Sequence, residues 1–323
     1  MKIIGDVVRC LAGRRTDSVV IAARGTSDHA GVYGKYIMEY ALGIPVALAA
    51  PSIYTVYRKE LKLGNSLVIG ISQSGRALDV LEVIKSAKAN GAVTVCITND
   101  DKSPLANEAA FHLYCSAGPE KSVAATKTFT SEMYLVALLV AELSKDAVMK
   151  KDLYCISENI GRIFESSVHI ANRAERYRYI NDCFVLTRGI NYAIALETAL
   201  KIQETTYIRA EAYATSDFYH GPFATVEKDA PVIVFAPEGP ALNDVVEMIK
   251  RLIESKAELI VVSNNSGVLG MGNTAFEIPE TSNDIISPFY NVVVAQMFAC
   301  QLALTKGLNP DAPRGLKKVT ITK

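Results

Sequence analysis

The sequence predicts an α/β chain built from two copies of one parallel-sheet unit. Three observations carry this. Short β-branched runs alternate with longer helical stretches, the pattern of strands joined by crossover helices in a parallel sheet covered on both faces. The order of these runs recurs. The recurrence also keeps a steady offset: Gly25 and Gly189 are 164 residues apart, Asn99 and Asn264 165, and Met133 and Phe298 165. A period of domain length means two copies of one βαβ arrangement.

In the first copy, residues 18–23 (SVVIAA) predict a buried strand, followed by Gly25 and a helix over about 28–42. Residues 66–71 (SLVIGI) are the next strand and end at Ser72-Gln73-Ser74-Gly75, after which a helix runs over about 78–90 and closes at Gly91. Residues 92–98 (AVTVCIT) are a third strand, 111–115 a short fourth, and 130–143 an apolar helix. In the second copy, 183–187 (CFVLT) lead through Arg188-Gly189 into a helix, and 231–236 (PVIVFA) lead through a loop into a helix over 244–255. The strand 259–263 stands before Asn264, and 276–278 precede an apolar helix over 291–304. The boundary is expected in the polar helical stretch between about 145 and 178. The division predicted is 1–150, 151–306 and an irregular tail, 307–323, whose two prolines, two glycines and four basic residues suit neither helix nor strand.

Composition narrows the function. The chain has 323 residues, 50% hydrophobic and 21% charged, too apolar for disorder and ordinary for a globular protein of about two domains. Its 34 basic residues equal its 34 acidic ones, so no overall field favours a polyanion, and nucleic-acid binding is not expected. The six scattered cysteines and four histidines lack metal-ligand spacing, and a disulfide framework does not suit this size. No metal and no cofactor are expected. The longest wholly apolar run, 133–141, is about half a membrane span, so no membrane partner is expected, and no secretory signal opens the chain. A reducing cytoplasm is the expected compartment.

The copies differ at one informative loop. After its second strand the first copy carries Ser72-Gln73-Ser74-Gly75, and the second carries Pro237-Glu238-Gly239-Pro240. In an open parallel sheet, ligands sit outside the carboxyl ends of the strands. There, hydroxyls, backbone N–H groups and a helix N-terminus together suit an anion. Thr26 and Ser27, at the end of the first strand, could add a second rim of hydroxyls. Glu238 makes the second copy's loop a poor anion site, so one phosphate site per chain is expected. Alone, the serine loop is equally a helix cap and tight turn. It lacks the lysine of a nucleotide P-loop, so a small phosphorylated metabolite fits better than ATP.

Residues 193–207 (AIALETALKIQETTY) carry only three charges, Glu197, Lys201 and Glu204. At about 100° per residue these fall within an arc of about 60° on a helix otherwise apolar nearly all round, and therefore buried. A plain ion pair explains part of this, since Glu197 to Lys201 is the favoured spacing. The functional reading is a carboxylate beside a lysine over a ligand pocket: a proton-transfer base with a cation to hold developing negative charge. His220, in the turn Tyr219-His220-Gly221-Pro222, brings a side chain that titrates near neutrality; a lone histidine is more often structural, though loops carry sites.

Together, RGTSDHA (24–30), ISQSG (71–75), SVAATKTFT (122–130), RG…YAIALETALKIQETTYIRAEAY (188–213), HGP (220–222) and PRGLKKVT (313–320) resemble the sugar isomerase (SIS) domain family. The likeness is greatest to the double-SIS isomerase half of glucosamine-6-phosphate synthase and to glucosamine-6-phosphate deaminases of this fold that lack the glutaminase. The resemblance implies two tandem three-layer αβα domains of flavodoxin-like type, the first binding phosphate and the second carrying the catalytic helix and histidine loop, with the tail over the site. It implies that Ser27, Ser72, Gln73 and Ser74, with Gly75 and Thr26, hold the sugar 6-phosphate, and that Val123 and Ala125 line the sugar. Glu204 is implied as the base moving a proton between C1 and C2, with Lys201 its electrostatic partner and Glu197 beside it. His220 is implied as the ring-opening acid/base donated by a neighbouring subunit, making a homodimer with shared sites, and Lys318 as the tail lysine, with Lys317 next to it.

Two positions depart from the family pattern ISQSGET: Arg76 and Ala77 replace an acidic residue and a threonine. Family members usually carry a helix or more before the first strand, whereas this chain begins close to it. No glutaminase segment precedes the isomerase portion, so the expected reaction releases ammonia rather than fixing it: glucosamine 6-phosphate to fructose 6-phosphate. A ketose–aldose isomerase, a fructosamine-6-phosphate deglycase and a non-catalytic phosphosugar sensor are the alternatives.

Overall fold

The computed structural model describes residues 2–281, 283–316 and 318. The chain divides into two compact units. One comprises residues 1–121 and 125–153 with the segment from 317 onward, and the other 122–124 with 154–316.

The first unit opens with α1 (Lys2–Ala12), whose Ile4 and Val7 are buried. The early first strand left this segment without predicted structure; the i, i+3 apolar pair is the signal that marks it. There follow β1 (Ser18–Ala22), α2 (Thr26–Leu42), β2 (Val46–Leu48), α3 (Ser52–Thr55), β3 (Ser66–Ile71), α4 (Leu78–Ala89), β4 (Val93–Thr98), α5 (Pro104–Glu108), β5 (Phe111–Tyr114) and α6 (Lys127–Ser144). The helix α7 (Ala147–Glu165) carries the chain across the division. The sheet is parallel, in the order β2-β1-β3-β4-β5. Every residue of β3 and β4 is buried, because helices cover both faces, which is why these strands read as continuous apolar runs.

The second unit contains α8 (Ser167–Ala174), β6 (Asp182–Thr187), α9 (Tyr192–Thr206), β7 (Arg209–Ala214), α10 (Thr215–Phe218), β8 (Pro231–Phe235), α11 (Leu242–Glu254), β9 (Glu258–Ser263), α12 (Ser266–Leu269), β10 (Thr274–Glu277) and α13 (Ser287–Thr305). Its parallel sheet runs β10-β9-β8-β6-β7. Read from the other edge, this is the order of the first sheet, element for element. Two units with the same strand order and direction are the structural counterpart of the sequence offset.

The order places a switch point between β1 and β3, where successive connections leave in opposite directions and a crevice opens at the carboxyl ends. The corresponding place in the second unit lies between β6 and β8. Among the described residues, no helix is long and apolar enough to cross a membrane.

Candidate functional site

In the first unit, residues 25–27 leave β1 and residues 72–75 leave β3, so both predicted hydroxyl-bearing segments border one switch point. The serine loop is held by its backbone: Ser72 N–H donates to Ile97 O at 3.1 Å, Gly75 N–H to Ser72 O at 3.0 Å, and Asn99 N–H to Gln73 O at 2.9 Å. Ser72 and Gly75 are buried, while Gln73 and Ser74 are half-buried. Gly75 has φ +60°, and a Cβ there would stand 2.1 Å from the Ser103 hydroxyl oxygen and 2.4 Å from its Cβ. Ser103 cannot yield easily, since it caps α5 by accepting the Ala106 N–H. Gly75→Ala is therefore expected to lower stability by about 2–4 kcal/mol, from the left-handed backbone and the disturbed cap together. Urea denaturation measures it, and a loss below about 1 kcal/mol would show that the loop adapts.

In the first turn of α4 the Val80 N–H donates to the Asp79 carboxylate at 2.9 Å. The helix's N-cap is Ala77, extended at φ −67° and ψ 106°, with no side-chain cap. The Arg76 guanidinium is paired with Asp100 at 3.2 Å. Arg24, which follows β1, donates to the buried Asp79 carboxylate in the first turn of α4 at 2.5 Å, tying the two loop regions together. Ser27, 7% exposed, donates to the buried Glu132 carboxylate of α6 at 3.0 Å. The α6 N-terminus is capped by the Glu120 carboxylate, which accepts from Thr126 N–H, Thr128 N–H and the Thr128 hydroxyl.

The second unit's counterpart loop is differently furnished. Glu238 N–H donates to Asn264 Oδ1 at 2.7 Å, and the Glu238 carboxylate accepts from Asn265. A Cβ on Gly239 would meet the Asp284 carboxylate at 3.0 Å. Two carboxylates at this switch point disfavour an anion by like charge. Burial pushes the Asp284 carboxyl above its ordinary range.

The helix α9 carries the charged stripe. Glu197 is 1% exposed and Lys201 3%. The Lys201 ammonium bridges both carboxylates, at 3.5 Å to Glu197 and in direct hydrogen-bond contact with Glu204. Glu204, one turn nearer the C-terminus, is partly exposed, so one carboxylate of the trio is locked inside and the other reaches outward. The helix tolerates its burial because Thr198, Thr205 and Thr206 donate their hydroxyls to Ile194 O, Lys201 O and Ile202 O.

The structure thus brings Glu197, Lys201 and Glu204 together, and sets Thr26, Ser27 and residues 72–75 at neighbouring strand ends. His220 lies on the loop after α10; it is exposed, and its ring makes no hydrogen bond or ion pair among the described residues. Val123 donates its N–H to Asp311 O at 3.1 Å within the second unit, while Ala125 belongs to the first; both are half-buried. Lys318 is half-buried, and Lys317 lies outside the described residues. Among the described residues no group of three or more His, Cys, Asp or Glu side chains could hold a metal ion. Burial pushes the Cys96 and Cys183 thiols up to about 12, which makes them poor nucleophiles at neutral pH.

The SIS domain family model matches residues 14–142 and 179–306. The chain belongs to the SIS domain family. It is 35% identical over 310 residues to glutamine–fructose-6-phosphate aminotransferase (isomerizing) of Aquifex aeolicus, covering 94% of this chain and 51% of that protein. The chain spans about half the length of the curated relatives it matches. Among solved structures, the C-terminal domain of glucosamine-fructose-6-phosphate aminotransferase from Francisella tularensis superposes with a TM-score of 0.84 at 26% identity, covering 97% of this chain and 95% of that one. Glucosamine-6-phosphate deaminase from Thermotoga maritima gives 0.79 at 24% identity, covering 99% and 95%, a likeness that shows the fold.

Within this SIS framework, sequence reasoning missed Glu132, Glu120 and Tyr207. Glu132 had a usable signal, a carboxylate directly before the apolar run 133–141 on a helix expected to be buried. Glu120 lies in an irregular loop, and only folding shows that it caps a helix six residues on.

Proposed function

We propose that this SIS protein moves a proton between C1 and C2 of a 6-phosphorylated sugar, and that its substrate is an amino-sugar 6-phosphate, glucosamine 6-phosphate. The observation that carries the reading is the α9 stripe: a buried lysine between a locked carboxylate and one that reaches outward. A purely structural pair would need no second, partly exposed carboxylate.

In this reading Ser27, Ser72, Gln73 and Ser74, with Thr26 and the backbone at Gly75, hold the phosphate, and Val123 and Ala125 line the sugar. His220 opens the ring; being exposed, it suits donation to a second copy of the chain, in a homodimer with shared sites. Glu204 takes the proton from C2 of the open-chain aldehyde and returns it to C1. The C1 carbonyl becomes an alcohol and the C2 amine an imine. Water then hydrolyses the imine, releasing ammonia and fructose 6-phosphate. Lys201 and Lys318 offset the negative charge that develops on the enolic oxygen. Neither step calls for a metal or an organic cofactor. The cytoplasm, where such metabolites occur, is the proposed compartment.

The departures at Arg76 and Ala77 favour a second reading on the same scaffold, isomerisation of another phosphosugar or deglycation of a fructosamine 6-phosphate. Incubation with glucosamine 6-phosphate, with ammonia and fructose 6-phosphate measured, tests the first reading. A sugar-phosphate panel followed by NMR tests the second. Tight binding without conversion would mark a sensor and overturn both.

The lack of a side-chain cap at Ala77 gives a further expectation. Ala77→Thr supplies a hydroxyl at the α4 N-cap, where Ala to Thr is worth about 1 kcal/mol. The variant should raise the denaturation midpoint and tighten sugar-phosphate binding about 3- to 10-fold by calorimetry. Unchanged affinity would remove the α4 N-terminus from the phosphate site.

A further inference from the structure

The tail after α13 has no regular structure over residues 308–316, yet two anchors fix it within the second unit. The Asp311 carbonyl accepts the Val123 N–H at 3.1 Å. Three residues on, the Arg314 N–H donates to the Tyr207 hydroxyl at 2.8 Å, and the Arg314 guanidinium lies 4.0 Å from the Tyr207 ring centroid. Pro313, between the anchors, is buried.

Tyr207 is an unusual residue for its place. It is the C-cap of α9, three positions after Glu204, in the left-handed region at φ +62°, and its N–H closes the helix onto Gln203 O at 3.1 Å. Glycine or asparagine takes this conformation readily, whereas a bulky side chain is strained there. Lys145 closes α6 in the same conformation, so the backbone alone assigns Tyr207 no task; what sets it apart is that its side chain meets Arg314 through both hydroxyl and ring.

We propose that Tyr207 is a positioning residue: its hydroxyl and ring clasp Arg314 and fix the point from which the tail runs on to Lys318. The clasp joins the tail to the end of the helix that carries Glu204, and the Asp311 anchor joins the same tail to Val123. This rests on the reading above, in which Glu204 and Lys318 act on one substrate. Tyr207 touches no reacting atom; it acts through the tail.

The test uses the full chain and three variants, followed by amide hydrogen exchange and by kcat and KM on glucosamine 6-phosphate. Tyr207→Phe removes the hydroxyl acceptor and keeps the ring; exchange over residues 308–316 should quicken about 3- to 10-fold. Tyr207→Asn suits the left-handed cap better than tyrosine does but removes both contacts. It should leave α9 exchange and the thermal midpoint unchanged or improved, quicken tail exchange about 10- to 50-fold, and lower kcat with KM within about 2-fold. Tyr207→Asn thereby separates a clasp from a mere cap. Arg314→Ala, which keeps the backbone N–H and loses the guanidinium, should give an intermediate tail rate and serves if an α9 variant fails to fold. Unchanged tail exchange in Tyr207→Asn, or in Arg314→Ala if that variant alone folds, overturns the clasp. Tail exchange that responds in a protein inactive on every phosphosugar supports the clasp and refutes the reading. Full wild-type activity with an unresponsive tail does the reverse.

Discussion

Glu204→Gln is expected to lower turnover of the phosphosugar by about 10²- to 10⁴-fold while leaving its binding within a few-fold, because a positioned general base is worth that factor and glutamine keeps the shape. The geometry favours Glu204 over Glu197 for this role. Glu197 is 1% exposed, closed off from any ligand, whereas Glu204 keeps part of its side chain at the surface of the unit. Steady-state rates with loss of solvent-tritium exchange at C1 would locate the defect in proton transfer. Full activity in Glu204→Gln would overturn the assignment and leave the trio as a structural ion network.

Lys201→Met is the second large expectation, and it is an effect on stability. Burying a charge is tolerated only with a counter-charge and hydrogen bonds nearby. The Lys201 ammonium faces Glu197 at 3.5 Å and also contacts Glu204. Removing one partner of a buried pair costs about 3–5 kcal/mol, because the other charge stays in a dry place. Met fills a similar volume, so the loss is one of charge rather than of packing. The double variant Lys201→Met with Glu197→Leu should regain most of that stability. It should remain inactive, since the cation beside the base is gone. Urea denaturation of the two variants, with activity on the refolded double variant, makes the comparison. An active double variant would show that the lysine serves only to neutralise Glu197. A single variant that loses less than about 1 kcal/mol would show that the pair is better hydrated than its burial suggests.

How much could be read in advance follows from where each element lies. The inner strands β3 and β4 are buried along their whole length, so composition alone reveals them. The edge strands β2 and β7 escaped. β2 has three residues, and β7 (RAEAYA) exposes Arg209 and Glu211 and has no apolar run to notice. Predicted helix ends were off by up to about four residues, as for α6 and α13, because caps such as Glu120 come from loops. The α9 stripe was legible because charges on an apolar helix stand out against their neighbours. The pairs Ser27–Glu132 and Tyr207–Arg314 were not, since each joins residues more than a hundred positions apart, a relation that local periodicity does not encode.

The two units share one strand order, yet the serine loop occurs in the first and the lysine–carboxylate trio in the second. On the proposed reading the duplicated scaffold divides labour between its halves: one grips, the other reacts. Such modularity makes the chain evolvable. On that reading a lineage can change which anion it accepts by altering residues 72–77, the loop where Arg76 and Ala77 stand, without disturbing the residues that move the proton.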